Sequence, residues 1–315
     1  MQLVSSREEF QWFLLVGMGY LLSLLPETFL WLGCLSCILI LGVPHGALDI
    51  YLIWSESKKN IRRACLFLAA YISVILLALG LWRISSEWFW FLFFLSAVYH
   101  FGASDEHPEL ISAMFRNSFK RLLWSYSRGL VLVFAPAAFH SNKILNYLKQ
   151  ATSLDFAAGF VAVAPFLFAY GLTFYLTVSL VSFRRVSSRT YRMLILKQVV
   201  SLLLIVALFR VSDPLVGFCL YFCCYHSLNH SFRVFSKTKK SNSSFFFAAS
   251  LFTIPILPIW FWSGFRLPAG SSQENWVIAC FVSIAALTFP HLFMVRKLHE
   301  TLKRSTVNLG VSRTV

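Results

Sequence analysis

Ten stretches of this chain run for close to twenty residues with almost no charge, and that constrains the fold more than any other feature. A helix needs about 20 apolar residues to cross the hydrocarbon core of a bilayer. A membrane strand alternates polar and apolar residues; these stretches are apolar throughout, so helices are predicted and a barrel is not. The spans are predicted at 10–25, 29–54, 64–82, 87–103, 122–140, 156–182, 193–209, 214–232, 245–263 and 276–295. The second and sixth exceed the bilayer thickness and are expected to tilt or break. The segments between spans, the longest near 104–121 and 141–155, are too short to fold alone. The expected architecture is therefore all-α: one polytopic membrane helical bundle over residues 1–315. The opening MQLVSSREEF carries more acid than base and no small-residue cleavage site follows, so it does not read as a signal peptide.

Charge sets the orientation. Of 28 Lys and Arg, 21 lie before the first span, in the loops after even-numbered spans and in the tail, and five lie in the loops after odd-numbered spans. Arg128 and Lys197 fall inside spans. Basic loops stay in the cytoplasm, so both termini are predicted there, with the chain a multi-pass protein of the cell membrane. The same pattern accounts for the net charge of +15 without a nucleic-acid partner.

The ionisable residues inside spans are the candidates for chemistry, because such groups are costly in hydrocarbon. Five of eight histidines lie there: His45, His100, His226, His230 and His291. All sit late in even-numbered spans, which places them at one depth toward the cytoplasmic half. Several helices donating imidazoles at a common depth is the arrangement a metal site requires. His226 and His230 are four residues apart, so on a helix both rings share one face. His45 and His291 follow Pro44 and Pro290, which break the helix hydrogen bonding where the backbone faces protein or a cavity. Asp49, one turn beyond His45, and Asp105, five residues beyond His100, are placed to accept the second N–H of a ligand imidazole. An all-imidazole set suits iron, copper, zinc or nickel, and the spacing does not choose among them.

The seven cysteines also lie in apolar runs, which does not resemble a disulfide framework. Cys34 and Cys37 form a C-x-x-C whose spacing fits ordinary small-residue helix packing as well as it fits a metal or redox role. The aromatic run from Trp88 to Phe94 leads directly to His100. Such walls suit a long flat polyene, although most aromatics in a chain of this kind face lipid.

Four segments carry a family resemblance. GVPHGALD at 42–49, YHFGASD at 99–105, YFCCYHSLNH at 221–230 and LTFPH at 287–291 resemble, in order, the bacterial and archaeal Brp/Blh family of β-carotene 15,15′-dioxygenases. The resemblance implies a non-haem Fe(2+) enzyme that splits β-carotene at its central double bond with O2 to give retinal. Carried over by motif, the iron ligands and catalytic residues are His45, His100, His226 and His230. Asp49 and Asp105 match the motif acids that support the ligands. His291 matches the last-span histidine, placed with them and its role open. The substrate is expected to come from the bilayer, and a microbial rhodopsin is the expected acceptor of retinal.

Two other classes are weighed beside this one. A membrane transporter predicts paired charges, broken helices and internal repeats; the chain shows the broken helices but no clear repeat. A carotenoid-binding accessory protein without catalysis shares every feature but metal-dependent turnover. A di-iron hydroxylase needs H-x-x-H-H boxes, which do not occur.

Overall fold

The helices start where polar side chains can replace the missing backbone partners of a first turn. Asn60 accepts from the Arg63 N–H at 3.2 Å, Asn117 from Phe119 at 2.7 Å and Ser153 from Phe156 at 3.3 Å. Asp213 caps the next start, accepting from Leu215 at 2.9 Å with Pro214 in the first turn.

A computed structural model describes residues 6–42, 49, 53, 57, 60–104, 110–111, 114–115, 117–231 and 272–311, with side chains at all of these except 6–10, 118, 272–274 and 295–311. The elements are α1 (Ser6–Leu22), α2 (Glu27–Cys37), α3 (Ile61–Ile84), α4 (Ser86–Ser104), α5 (Ser118–Phe139), α6 (Ser141–Ala151), α7 (Leu154–Arg185), α8 (Arg189–Val211), α9 (Pro214–Cys219) and α10 (Ser272–Val311). Two of them run on as π-helix, α2 into Ile38–Gly42 and α9 into Leu220–Ser227. No strand occurs among the described residues. The chain is an all-helical membrane protein, as expected. Five described helices are long and apolar enough to cross a bilayer: 61–84, 119–139, 154–185, 189–211 and 275–294. Shorter apolar helices cover Gln11–Leu22 and Glu27–Gly42. The expected count of ten is not established by these, and the span expected at 245–263 lies outside the described residues.

Burial separates the centre from the rim. Two thirds of the apolar window of 275–294 is buried, against 17% for 61–84 and for 154–185. The last span is thus the most buried of the five, with α3 packed on it, while α3 and α7 present their outer faces to the surroundings. Helix α5 packs against both α4 and α7. Its contact with α4 is backbone on backbone. A Cβ at Gly129 would collide with the Val98 carbonyl, and one at Gly102 with the Ser125 carbonyl. Small residues let helices approach this closely in a membrane, and the approach fixes the height of α4.

The segment 141–155, expected as a plain connector, contains helix α6. Its Ile144, Tyr147, Leu148 and Ala151 fall at i, i+3, i+4 and i+7 and turn one face inward. Lys143 joins it to two other elements through ion pairs to Asp213 at 2.7 Å and Glu27 at 3.0 Å.

Candidate metal centre

Three elements bring four imidazoles together. His100 lies on α4, four residues from its end. His226 sits in the π-helical segment after α9, His230 in the turn that follows it, and His291 on α10 beside Pro290. All four are buried, between 0% and 5% exposed. The rings form a continuous layer: His226 to His100 is 5.0 Å between centroids, His100 to His291 is 5.2 Å, and His291 to His230 is 5.6 Å.

The tightest contact is between His100 and His226, whose Nε2 atoms face each other at 3.1 Å. Ser104 explains why the His100 lone pair lies on that side. Its hydroxyl donates to the His100 carbonyl at 2.6 Å, so its oxygen is left to accept from Nδ1–H at 3.4 Å. That tautomer puts the lone pair on Nε2. A cation bound to imidazole at about 2.0–2.1 Å holds two neighbouring ligand nitrogens about 2.9–3.4 Å apart, from right-angle to tetrahedral geometry. The donor set and the 3.1 Å separation therefore fit a metal ion taken from the imidazole-preferring group.

Asp49 anchors the layer at His291 and is fully buried. His291 Nδ1–H donates to both of its oxygens, at 3.0 and 2.9 Å, and the Tyr71 hydroxyl donates to Oδ2 at 2.9 Å. A buried carboxylate needs such partners. In return it fixes the His291 ring and its tautomer. The sequence alone set Asp49 one turn beyond His45; the structure brings it to His291, 242 residues away. Tyr71 and Ser104 were missed from sequence. Each is a hydroxyl inside or at the end of an apolar span, and for Ser104 the i+4 spacing from His100 was a readable signal. His45 and Asp105 lie outside the described residues.

Beside the histidines opens an apolar cleft. Helix α4 builds one wall with Trp90, Phe93, Phe94, Ala97 and Phe101, all on one face. The aromatic run is thereby divided, since Trp88 and Phe91 point outward, 61% and 49% exposed. Phe218, Tyr221 and Phe281 also line it, and the inner face of α6 lines the end near Trp90. Cleft and histidine layer share walls: Phe101 and Tyr221 lie 5.0 and 6.1 Å from the His226 ring. The Trp90 indole N–H donates to the Ala151 carbonyl at 3.2 Å, tying the α4 wall to that end.

Two comparisons with known proteins point to one family. Residues 36–299 match the profile of the family described as beta-carotene 15,15'-dioxygenase. A curated protein of an uncultured marine bacterium, 66A03, named beta-carotene 15,15'-dioxygenase, is 24% identical over 276 residues, covering 83% of this chain and 91% of that protein. No solved structure matches.

Proposed function

This chain belongs to the β-carotene 15,15′-dioxygenase family, and from that premise we propose that it cleaves β-carotene or a closely related carotenoid at the central double bond with O2, at a non-haem Fe(2+) centre, releasing retinal. The observation that carries this reading is the pair of facing imidazole Nε2 atoms, 3.1 Å apart, against the wall of a cleft lined by aromatic rings.

The iron, held by His45, His100, His226 and His230, would supply the activation of O2. The remaining work falls to the chain. Ser104 holds the His100 lone pair toward His226, and Asp49 with Tyr71 fixes His291 between His100 and His230. A ligand ring held in this way needs no reorientation when the ion binds. The cleft offers flat apolar walls and almost no polar surface, so a dissolved polyene can leave the bilayer without losing hydrogen bonds. Phe101 and Tyr221 contact both the cleft and His226, which sets the polyene against the metal-binding layer. Closing the site with aromatic side chains also excludes water from the reacting double bond. Splitting an alkene into two aldehydes needs no carboxylate base, and Asp49 is committed to hydrogen bonds.

His291 has a specific claim to a place next to the ligands. Its Nδ1–H is held by Asp49, which leaves the lone pair on Nε2, and its ring neighbours both His100 and His230. We assign it to the support of the bound ion together with Asp49; Asp105 is assigned the corresponding support of His100. We propose the cell membrane as its location and a microbial rhodopsin as the acceptor of its product.

The test is retinal formation in a bacterial host that makes β-carotene, measured by chromatography beside a His226→Ala control and with iron determined in the purified protein. Retinal and bound iron in the wild type, both lost in the variant, support the proposal. Intact carotene with a well-expressed, iron-free protein overturns it and favours a transporter or accessory role.

A further inference from the structure

The sequence contains a second set of metal-binding side chains that the histidine layer does not use. Cys37 ends α2, Cys219 ends α9, and Cys223 lies one turn into the π-helical segment that follows. Their sulfur atoms all lie within 4.8 Å of one another. Cys219 and Cys223 are buried, 4% and 0% exposed, and Cys37 is half-buried. The Cys219 thiol also donates to the Cys34 carbonyl at 3.7 Å.

The backbone accounts for this gathering. Both segments change from α to π-helix at the cluster, at Ile38 and at Leu220. Hydrogen bonding to i+5 widens the turn, so residues four and five apart, Cys219, Cys223 and Cys224, remain on one side. The turn at Gly42 closes over them. A Cβ there would strike the Phe222 ring and come within 3.3 Å of the Cys223 sulfur. Two π-helical turns packed on each other cost regular hydrogen bonding, and such turns are frequent at functional sites.

We propose that Cys37, Cys219 and Cys223 form a binding site for a thiophilic d10 cation, with Cu(I) preferred over Zn(II). Soft thiolates select these two ions. At a metal–sulfur distance of about 2.3 Å, three trigonal sulfurs stand about 4.0 Å apart, so sulfurs within 4.8 Å close on an ion with side-chain adjustment alone. Three sulfurs complete the coordination of Cu(I), whereas structural zinc takes four ligands. The site bridges α2 to the segment that carries His226, so a bound ion would clamp the two segments together.

The experiment is an anaerobic Cu(I) titration of the reduced full-length protein in detergent, iron-loaded, in competition with a chromogenic Cu(I) chelator. One Cu(I) per chain is expected. Affinity should fall by about 100-fold or more in Cys37→Ala and in Cys223→Ala, and stay unchanged in Cys65→Ala, whose thiol is exposed on α3 and outside the cluster. A parallel Zn(II) titration should give weaker binding. If the alanine variants unfold, X-ray absorption at the copper edge of the wild type decides, with sulfur-only coordination expected. No Cu(I) retained by folded wild type, equal affinity in Cys37→Ala, or nitrogen scatterers at the copper would each overturn the site. Retinal and iron are measured on the same preparations, so loss of this proposal and loss of the dioxygenase reading are told apart.

Discussion

Helix α4 carries two sites of opposite character along one length. Its first half, Trp90, Phe93, Phe94 and Ala97, gives the cleft a surface without directional bonds. Its last turn, His100 and Ser104, presents lone pairs whose directions are set by hydrogen bonds of 2.6 and 3.4 Å. The first half depends on volume, because apolar burial is non-directional and tolerates swaps of similar size. The last turn depends on which atom carries a proton, and there even an isosteric change matters. The difference teaches where to look for mutational sensitivity: polar substitutions of equal size should discriminate the histidine layer from the cleft, and changes of size should do the reverse.

The largest effect is expected at the imidazoles. His226→Ala removes the nitrogen facing His100 and should abolish both retinal formation and stoichiometric iron, checked by chromatography and elemental analysis. Retinal made at wild-type rate by that variant would end the distinction drawn above, since the layer would then be ordinary packing. Next comes Asp49→Asn, which keeps the volume and removes the charge that holds His291 and Tyr71. Iron affinity should drop by about 10–100-fold, read by competition with a chelator, while the fold persists. Unchanged affinity would confine Asp49 to a structural role.

A smaller effect is expected in the cleft. Ala97 lies buried on the α4 wall, one turn before Phe101. Ala97→Leu adds three carbons to that space and should lower retinal formation by about tenfold, against an overpacking cost of about 1–3 kcal/mol in stability. Bound iron should stay at wild-type level. Loss of iron in this variant would show that cleft and histidine layer are one cooperative unit.

Much of this site was legible in the sequence for a physical reason. Imidazoles and carboxylates are so costly in a membrane that their positions alone select His100, His226, His230, His291 and Asp49. The pairing was not legible. Asp49 reads as the neighbour of His45 because helical periodicity is local, whereas its contact with His291 depends on how α10 packs. The π-helical segments were likewise hidden, because nothing in YFCCYHS distinguishes i+5 from i+4 bonding. Helix α6 was hidden for a different reason. With two lysines among eleven residues it reads as a connector, and its apolar face becomes informative only once the cleft it lines is seen.

That end of the cleft gives the smallest predicted effect. Ile144, Tyr147, Leu148 and Ala151 turn into the cleft, while Lys143 bridges Asp213 and Glu27. Burial alone would lower the Lys143 pKa, but its hydrogen bonds to Asp213 and Glu27, with their charges, outweigh that and raise it above the ordinary lysine value. A raised folded-state value means that the contribution is fully present below the unfolded lysine pKa of about 10.4 and is lost as pH climbs through the folded one. Between pH 6 and pH 9 stability should therefore show no dependence from this group. Lys143 and Glu27 are 46% and 72% exposed, so solvent screening keeps the bridge weak. Lys143→Met should cost at most about 1 kcal/mol, read as a small fall in melting temperature with retinal formation intact. If it instead costs as much activity as Ala97→Leu, the α6 end of the cleft is held by charge rather than by packing, and the directional character of the histidine turn extends to that end of the polyene site.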